Sequence, residues 1–318
     1  MAEHFSQIIL PTRPQPDTVI AVFILQTYGK TNFPGIEHAR ITFAPLFPKE
    51  ETPESLEKKG IIAIDIGTGP FDHHASKTKT TASMLIAEAL GVSEAPALAK
   101  LLEYAERDDF YGKGTISTDA LDRAFGLSGL VVNLNKRFPN DPGKVFALVT
   151  PLIDAHHAEE VRRTEELPKE VTEQTKAGKV EDFTVRQKDK NLKVVIIESD
   201  NISLPGYLRS QLGGRFDIVA QKLTSGHINI LSRPTKRPDL RKLARTIRIA
   251  EARILNKTVP SDEKYLERPG RIEEIPEWYY DPATNSLQNG GANPQDIPKT
   301  HIAHHELKTI LVEGLSSA

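Results

Sequence analysis

The first third of the chain alternates short apolar runs with stretches of helical spacing. Residues 7–10 form an apolar run that predicts a buried strand, and the Pro-rich turn 11–16 follows it. Residues 18–28 carry helical spacing and stop at Gly29, with Asp17 placed as an N-terminal cap. Further strands are predicted at 38–43 and 60–66. Helices are predicted at 80–90, stopping at Gly91, and at 95–107, running into Asp108-Asp109-Phe110-Tyr111-Gly112. Strands alternating with helices predict a parallel sheet covered on both faces. Ligands of such sheets gather beyond the carboxyl ends of the strands. Asp17 and Asp65 both fall on that edge.

From 154 to 190 the pattern turns charged and polar, which predicts a helical linker with a solvated helix at 159–176. β-Branched residues at 192–198 then predict a strand, and 205–212 a short helix ending at Gly213-Gly214. Residues 216–223 and 227–231 read as a hairpin turning at Ser225-Gly226. A helix is predicted at 239–255, and two strands at 277–280 and 286–288. The expected organisation is an α/β domain over 1–153, a linker over 154–190 and a smaller α+β domain over 191–318. There is no internal repeat.

Composition narrows the chemistry. A chain of 318 residues holds one large or two medium domains. It has no cysteine, which excludes disulfides, thiolate metal sites and a Cys nucleophile. The net charge of -2 gives no global signal for a polyanion, so a nucleic-acid surface would be a local patch. No apolar run is long enough to span a bilayer. Met1-Ala2-Glu3-His4 lacks the basic and apolar regions of a signal peptide, so a cytoplasmic protein is expected.

The candidate chemistry centres on Phe71-Asp72-His73-His74, which follows a lone Asp65 closing the apolar run Ile61-Ile62-Ala63-Ile64. A carboxylate at a strand end and an Asp-His-His on the next loop make a half-site for Mn²⁺, Zn²⁺ or Fe²⁺. Asp72 suits the role of orienting His73 or His74 rather than binding metal. Asp108 and Asp109 lie at a helix end whose dipole disfavours acids, so a nearby cation would account for them. Asn289-Gly290-Gly291-Ala292-Asn293 is a backbone-permissive turn able to bring amides to a phosphate. His227, beside Gly226, is a candidate for the same cleft, as is Arg233. The stretch from Arg233 to Arg248 is basic, and Trp278, Tyr279 and Tyr280 lie downstream. That mixture suits a single-stranded nucleic acid; the plain alternative is a solvated helix face beside a half-buried edge strand. His301, His304 and His305 read as surface positions on a C-terminal helix.

These residues together resemble the DHH phosphoesterase superfamily. The resemblance rests on strand-Asp65, Asp72-His73-His74, the small-residue helix Thr80-Thr81-Ala82-Ser83-Met84-Leu85-Ile86, and an Asp after a further helix. Trp278-Tyr279-Tyr280-Asp281 and Asn289-Gly290-Gly291 are similar to the melanocyte-proliferating-gene-type exonuclease branch. The match covers about the first third of the chain well. It implies a DHH-type parallel-sheet domain followed by a substrate-binding cap. Family members usually hold a pair of Mn²⁺ ions, and their first motif reads His-x-x-x-Asp-x-Asp. In one register Asp17 takes the second Asp, with Gln15 and Pro11 at the other ligand positions. In the other, Asp17 takes the first Asp, with Arg13 and Val19 at the rest. The resemblance then implies Asp17, Asp65, His73 and Asp108, or else Asp109, as metal ligands, with His74 facing the phosphate. One Mn²⁺ site is expected rather than two, with Mg²⁺, Zn²⁺ or Fe²⁺ as alternatives. Arg13 would supply positive charge in place of a second ion.

The expected activity is metal-dependent hydrolysis of nucleotides or oligonucleotide ends, with Asp72, His74 and Arg13 in the catalytic set. The expected partner is a nucleotide or short single-stranded nucleic acid, with no membrane association and room for a homodimer. The alternative is a non-catalytic nucleotide- or RNA-binding member of the same fold.

Overall fold

The computed structural model describes residues 4–74, 78–112, 117–291 and 296–316. Ala292 and Asn293 of the glycine turn lie outside the described residues. The protein is a mixed α/β chain that divides into two compact units, Met1–Arg162 and Arg163–Ala318. Among the described residues no helix is long and apolar enough to cross a membrane.

The first unit is built on a parallel sheet in the order β2-β1-β3, made of β1 (Gln7–Pro11), β2 (Arg40–Ala44) and β3 (Ile61–Ala63). Ile8 pairs with Ile41 on one side and with Ile62 on the other. Successive side chains point to opposite faces. Ile8, Leu10, Ile62 and Ile64 therefore join one core, while Ile9 and Ala63 join a smaller one against Leu56. Leu56 belongs to α2 (Pro53–Lys58). The larger core is covered by α1 (Pro16–Tyr28), α3 (Ala82–Ala89), α4 (Ala99–Tyr111), α6 (Leu127–Arg137) and α7 (Pro142–Val161), and the short α5 (Ala120–Phe125) precedes α6. Every residue of α1 from Pro16 to Leu25 is buried, as expected of a helix that is apolar all round.

Four local expectations are corrected. Asp17 is not the cap of its own helix: Gln15 holds that position, and Asp17 lies inside the first turn. The third strand ends at Ala63 rather than 66, because Asp65 turns into the left-handed region (φ 59°) and its amide donates to the Phe71 carbonyl. Helix α4 runs on to Tyr111, so Asp108 and Asp109 sit in its last turn. Residues 120–153, which no predicted element covered, form α5, α6 and the greater part of α7. Helix α7 carries an interior Pro151 and a nearly unbroken apolar run, which hides its period.

In the second unit, six strands follow the order β4-β5-β6-β7-β9-β8. They are β4 (Val180–Gln187), β5 (Lys190–Glu198), β6 (Ile218–Lys222), β7 (Ile228–Ser232), β8 (Tyr279–Asp281) and β9 (Ser286–Gln288). All neighbours are antiparallel except β5 and β6. β4 falls in the stretch read from sequence as linker. The remaining helices are α8 (Leu167–Lys176), α9 (Leu204–Arg209), α10 (Arg241–Ile254), α11 (Glu263–Leu266) and α12 (His304–Leu315). Helices α10 and α12 supply the core on one face, and α8 and α9 supply it on the other.

This unit buries charge as well as apolar surface. Glu251 accepts hydrogen bonds from Trp278 Nε1 (2.9 Å), the Thr300 hydroxyl and the His301 amide (2.7 Å). Removing a fully paired buried carboxylate strands its donors. Glu251→Ala is expected to destabilise the second unit by about 3–5 kcal/mol. The chain has a single tryptophan, so Trp278 fluorescence during urea unfolding reads the change directly.

Candidate metal centre

The strand ends and helix termini of the first unit bring an unusually acidic set of side chains together. Asp17 comes from the first turn of α1, which leaves the carboxyl end of β1. Asp65 follows β3, and Asp72, His73 and His74 end the short turn after it. Asp108 and Asp109 come from the last turn of α4.

Asp17 is almost fully buried and is fixed by another helix. The Ala82 amide donates to its Oδ2 (2.8 Å) and the Ser83 amide to its Oδ1 (3.0 Å). These amides are free because they open α3, where no carbonyl precedes them to accept. A carboxylate there also meets the favourable end of the helix dipole. Asp17 therefore ties α1 to α3 and still turns Oδ2 to within 4.0 Å of His73 Nδ1.

Asp65 is held more awkwardly. Thr18 Oγ1 donates to its Oδ2 (2.7 Å), but among the described residues the buried Oδ1 has no hydrogen-bond partner. His73 Nδ1 is likewise buried and without a hydrogen bond, 3.5 Å from that oxygen. His74 Nδ1 lies 3.6 Å from the same oxygen. Burial raises the Asp65 carboxyl to about 6; the Thr18 hydrogen bond opposes this, while the charge of Asp17 adds to it. Burial likewise raises Asp108 and Asp109.

The two imidazoles are each steered by a carboxylate. His73 Nε2 lies 3.1 Å from Asp109 Oδ2, which leaves Nδ1 facing Asp65 and Asp17. Asp72 Oδ1 accepts from the His74 amide (3.1 Å) and sits 2.7 Å from His74 Nδ1. Burial works to raise Asp72, but hydrogen bonds from the Thr68 and His74 amides and the His74 ring hold it below the usual carboxylate range. The hydrogen bond to Asp72 raises His74 in turn. The two rings stack with centroids 4.5 Å apart, and the His74 side chain is 64% exposed.

Among the described residues no Lys or Arg forms an ion pair with Asp17, Asp65, Asp72, Asp108 or Asp109; the ion-pair partners of Asp17, Asp65, Asp72 and Asp109 are the two histidines. Asp65, His73 and His74 each offer a ligand atom, all within 4.8 Å of one another. An unpartnered carboxylate oxygen and an unpartnered imidazole nitrogen facing each other in a buried place fit a divalent cation, and the oxygen and nitrogen donors suit Mn²⁺, Fe²⁺ or Zn²⁺. Sequence reasoning put Asp108 ahead of Asp109 here. The structure turns Asp108 in line with Leu101, Leu102 and Ala105 on the buried stripe of α4, beside Ser128, and brings Asp109 onto His73. Thr18 was missed, although its place directly after Asp17 was the available signal.

Arg13 is exposed in the β1–α1 loop, and among the described residues no ion pair joins it to the cluster. The other predicted residues lie in the second unit. His227 Nδ1 is 2.9 Å from Ser225 Oγ, and Nε2 is 2.9 Å from the Ile297 carbonyl. Arg233 pairs with the buried Asp217. Gly290 and Gly291 both take positive φ (86° and 66°), and the Gly291 carbonyl accepts from Asn229 Nδ2. The basic stripe is corrected. Arg248 is fully buried and donates to the Leu266, Arg268 and Gly270 carbonyls, while Arg245 pairs with Glu263 and Glu267. Trp278 is fully buried too, so neither Trp278 nor Arg248 offers a face to a strand of nucleic acid.

No protein-family model matches the chain, and no curated protein matches it. Among solved structures it is similar to an uncharacterized protein from Helicobacter pylori G27, at 11% identity and a TM-score of 0.27, over 98% of this chain and 99% of that one. It is also similar to a DHH domain from a member of the s1p family of ribosomal proteins, at 12% identity and a TM-score of 0.26, over 98% of this chain and 88% of that one.

The double clamp on Asp17 has a measurable consequence. Asp17→Ala strands two buried amides at the start of α3 and is expected to destabilise the first unit by about 3 kcal/mol. Urea unfolding followed by circular dichroism in chelator isolates this structural part from any metal effect.

Proposed function

We propose that the chain is a metal-dependent phosphoric ester hydrolase acting on nucleotides or oligonucleotide ends, with one Mn²⁺ as its metal. The observation that carries this reading is the pair of buried, unpartnered atoms, Asp65 Oδ1 and His73 Nδ1, facing each other at 3.5 Å. Asp65 and His73 would hold the ion, with Asp17 completing the set. Bound there, the ion would polarise a phosphoryl oxygen and lower the pKa of a water.

The chain's own residues supply the rest. Asp109 fixes the ring of His73 through Nε2, so that Nδ1 stays on the Asp65 side. Asp72 does the same for His74, whose ring stays exposed and raised towards its charged form. A charged imidazole at the rim can stabilise negative charge as it grows on a phosphoryl oxygen. Thr18 keeps Asp65 from rotating out of the site.

Chelator-stripped protein is expected to bind Mn²⁺ in a calorimetric titration, and Asp65→Ala and His73→Ala are each expected to weaken binding at least about tenfold. With Mn²⁺ restored, the wild type is expected to release nucleotides from a short single-stranded oligonucleotide, and both variants to lose that activity. Absence of Mn²⁺, Zn²⁺ and Fe²⁺ binding would end the metal reading. Unchanged oligonucleotide affinity in chelator, with no product in Mn²⁺, would instead establish a non-catalytic binding protein.

A further inference from the structure

A cleft of about 460 Å³ opens beside the cluster, between the β1–α1 loop, the end of α4 and α6. Its walls are set by the same elements that set the cluster. Asp108 lines it, and the next residue, Asp109, touches His73. Gln15 and Pro16 line it, and the next residue is Asp17. Asn135 Nδ2 donates to the Pro14 carbonyl (3.0 Å) and to the Val131 carbonyl (3.1 Å), which staples the loop to α6. The cleft is therefore held open by fixed backbone.

Its lining is divided by chemistry. Pro16, Val131, Val132 and Pro139 give apolar walls. Arg13 and Lys136 bring two exposed cations, and neither forms an ion pair among the described residues. Asp108, 8% exposed, is the one carboxylate of the lining, while Arg13 and Lys136 are exposed. Like charge at Asp108 turns an anion away, so an anion belongs with Arg13 and Lys136. The inner space then suits a neutral, flat group with polar edges, for which the side chains of Gln15, Ser128 and Asn135 provide partners. The volume is within the usual range for a small-molecule pocket, about 300–1,000 Å³.

We infer that this cleft is the subsite for the nucleoside monophosphate unit next to the bond that is cut, with its base against Val131 and Pro16 and its phosphate between Arg13 and Lys136. The inference rests on the phosphoesterase reading and narrows it. The substrate is then a dinucleotide or oligonucleotide end, not a lone phosphate monoester or a polyphosphate. Arg13 acts here as a substrate-binding residue, through a fork that pairs with phosphate oxygens.

The test reads binding in chelator, so it does not depend on metal or hydrolysis. Adenosine 5′-monophosphate, adenosine and inorganic pyrophosphate are titrated into the full-length wild type and into Arg13→Ala, Lys136→Ala and Val132→Glu. Val132 is 47% exposed, so the glutamate is accommodated at the mouth of the cleft without disturbing the core. The monophosphate is expected to bind, and to bind at least about tenfold more tightly than adenosine or pyrophosphate alone. Each variant is expected to weaken it by about three- to tenfold. Equal affinity for pyrophosphate and the monophosphate overturns the base subsite. Unchanged monophosphate affinity in all three variants overturns the placement in this cleft. Loss of hydrolysis in Mn²⁺ alongside the expected binding pattern would count against the phosphoesterase reading alone.

Discussion

Carboxylates withdrawn from water without enough positive charge beside them set the terms for the first unit. Two unit charges about 4 Å apart interact by about 4 kcal/mol at an effective dielectric of about 20, and burial adds to that for like charges. Asp65 feels both effects, which is why its carboxyl sits near about 6. Its neighbours relieve it only in part. Thr18 satisfies one oxygen, while the other faces a buried imidazole nitrogen that has no partner either. A divalent cation answers both unmet atoms at once.

The backbone imposes this arrangement. Asp65 adopts a left-handed conformation, unusual for a residue with a side chain, and its amide closes the turn onto Phe71. The turn brings Asp72 back to accept from the Thr68 amide (2.6 Å), which sets the two histidines side by side. Strain at Asp65 and a desolvated carboxylate on the same residue are the kind of local disadvantage that a bound ligand offsets. Asp17 shows the contrasting case. Its charge is matched by two helix-start amides, so it serves the fold while standing at the edge of the site.

Buried charge in the second unit is handled in the opposite way. Glu251 and Arg248 are as deeply buried as any apolar side chain there, yet each meets a set of backbone or side-chain partners. Such groups hold loops to a helix, and they explain why a stretch rich in arginine is not an open basic surface. Arg13 and Lys136, which form no ion pair among the described residues, belong to the first unit.

The hydrophobic period alone determined the alternation of strands and helices in the first unit, the β6–β7 hairpin and the approach of Asp65 to Asp72-His73-His74, because these depend on neighbours a few residues apart. Residues 142–153 were silent because the nearly unbroken apolar run that opens α7 has no period to read. The tertiary structure decided what depends on distant partners. It made Asp17 the anchor of α3, since those amides arrive 65 and 66 residues later. It chose Asp109 over Asp108 for His73, because a step of one residue on a helix turns a side chain by about 100° and only packing fixes the phase. It also put Trp278 and Arg248 inside the molecule, where an aromatic ring and a guanidinium become structural partners of Glu251 and of backbone carbonyls instead of a surface for nucleic acid.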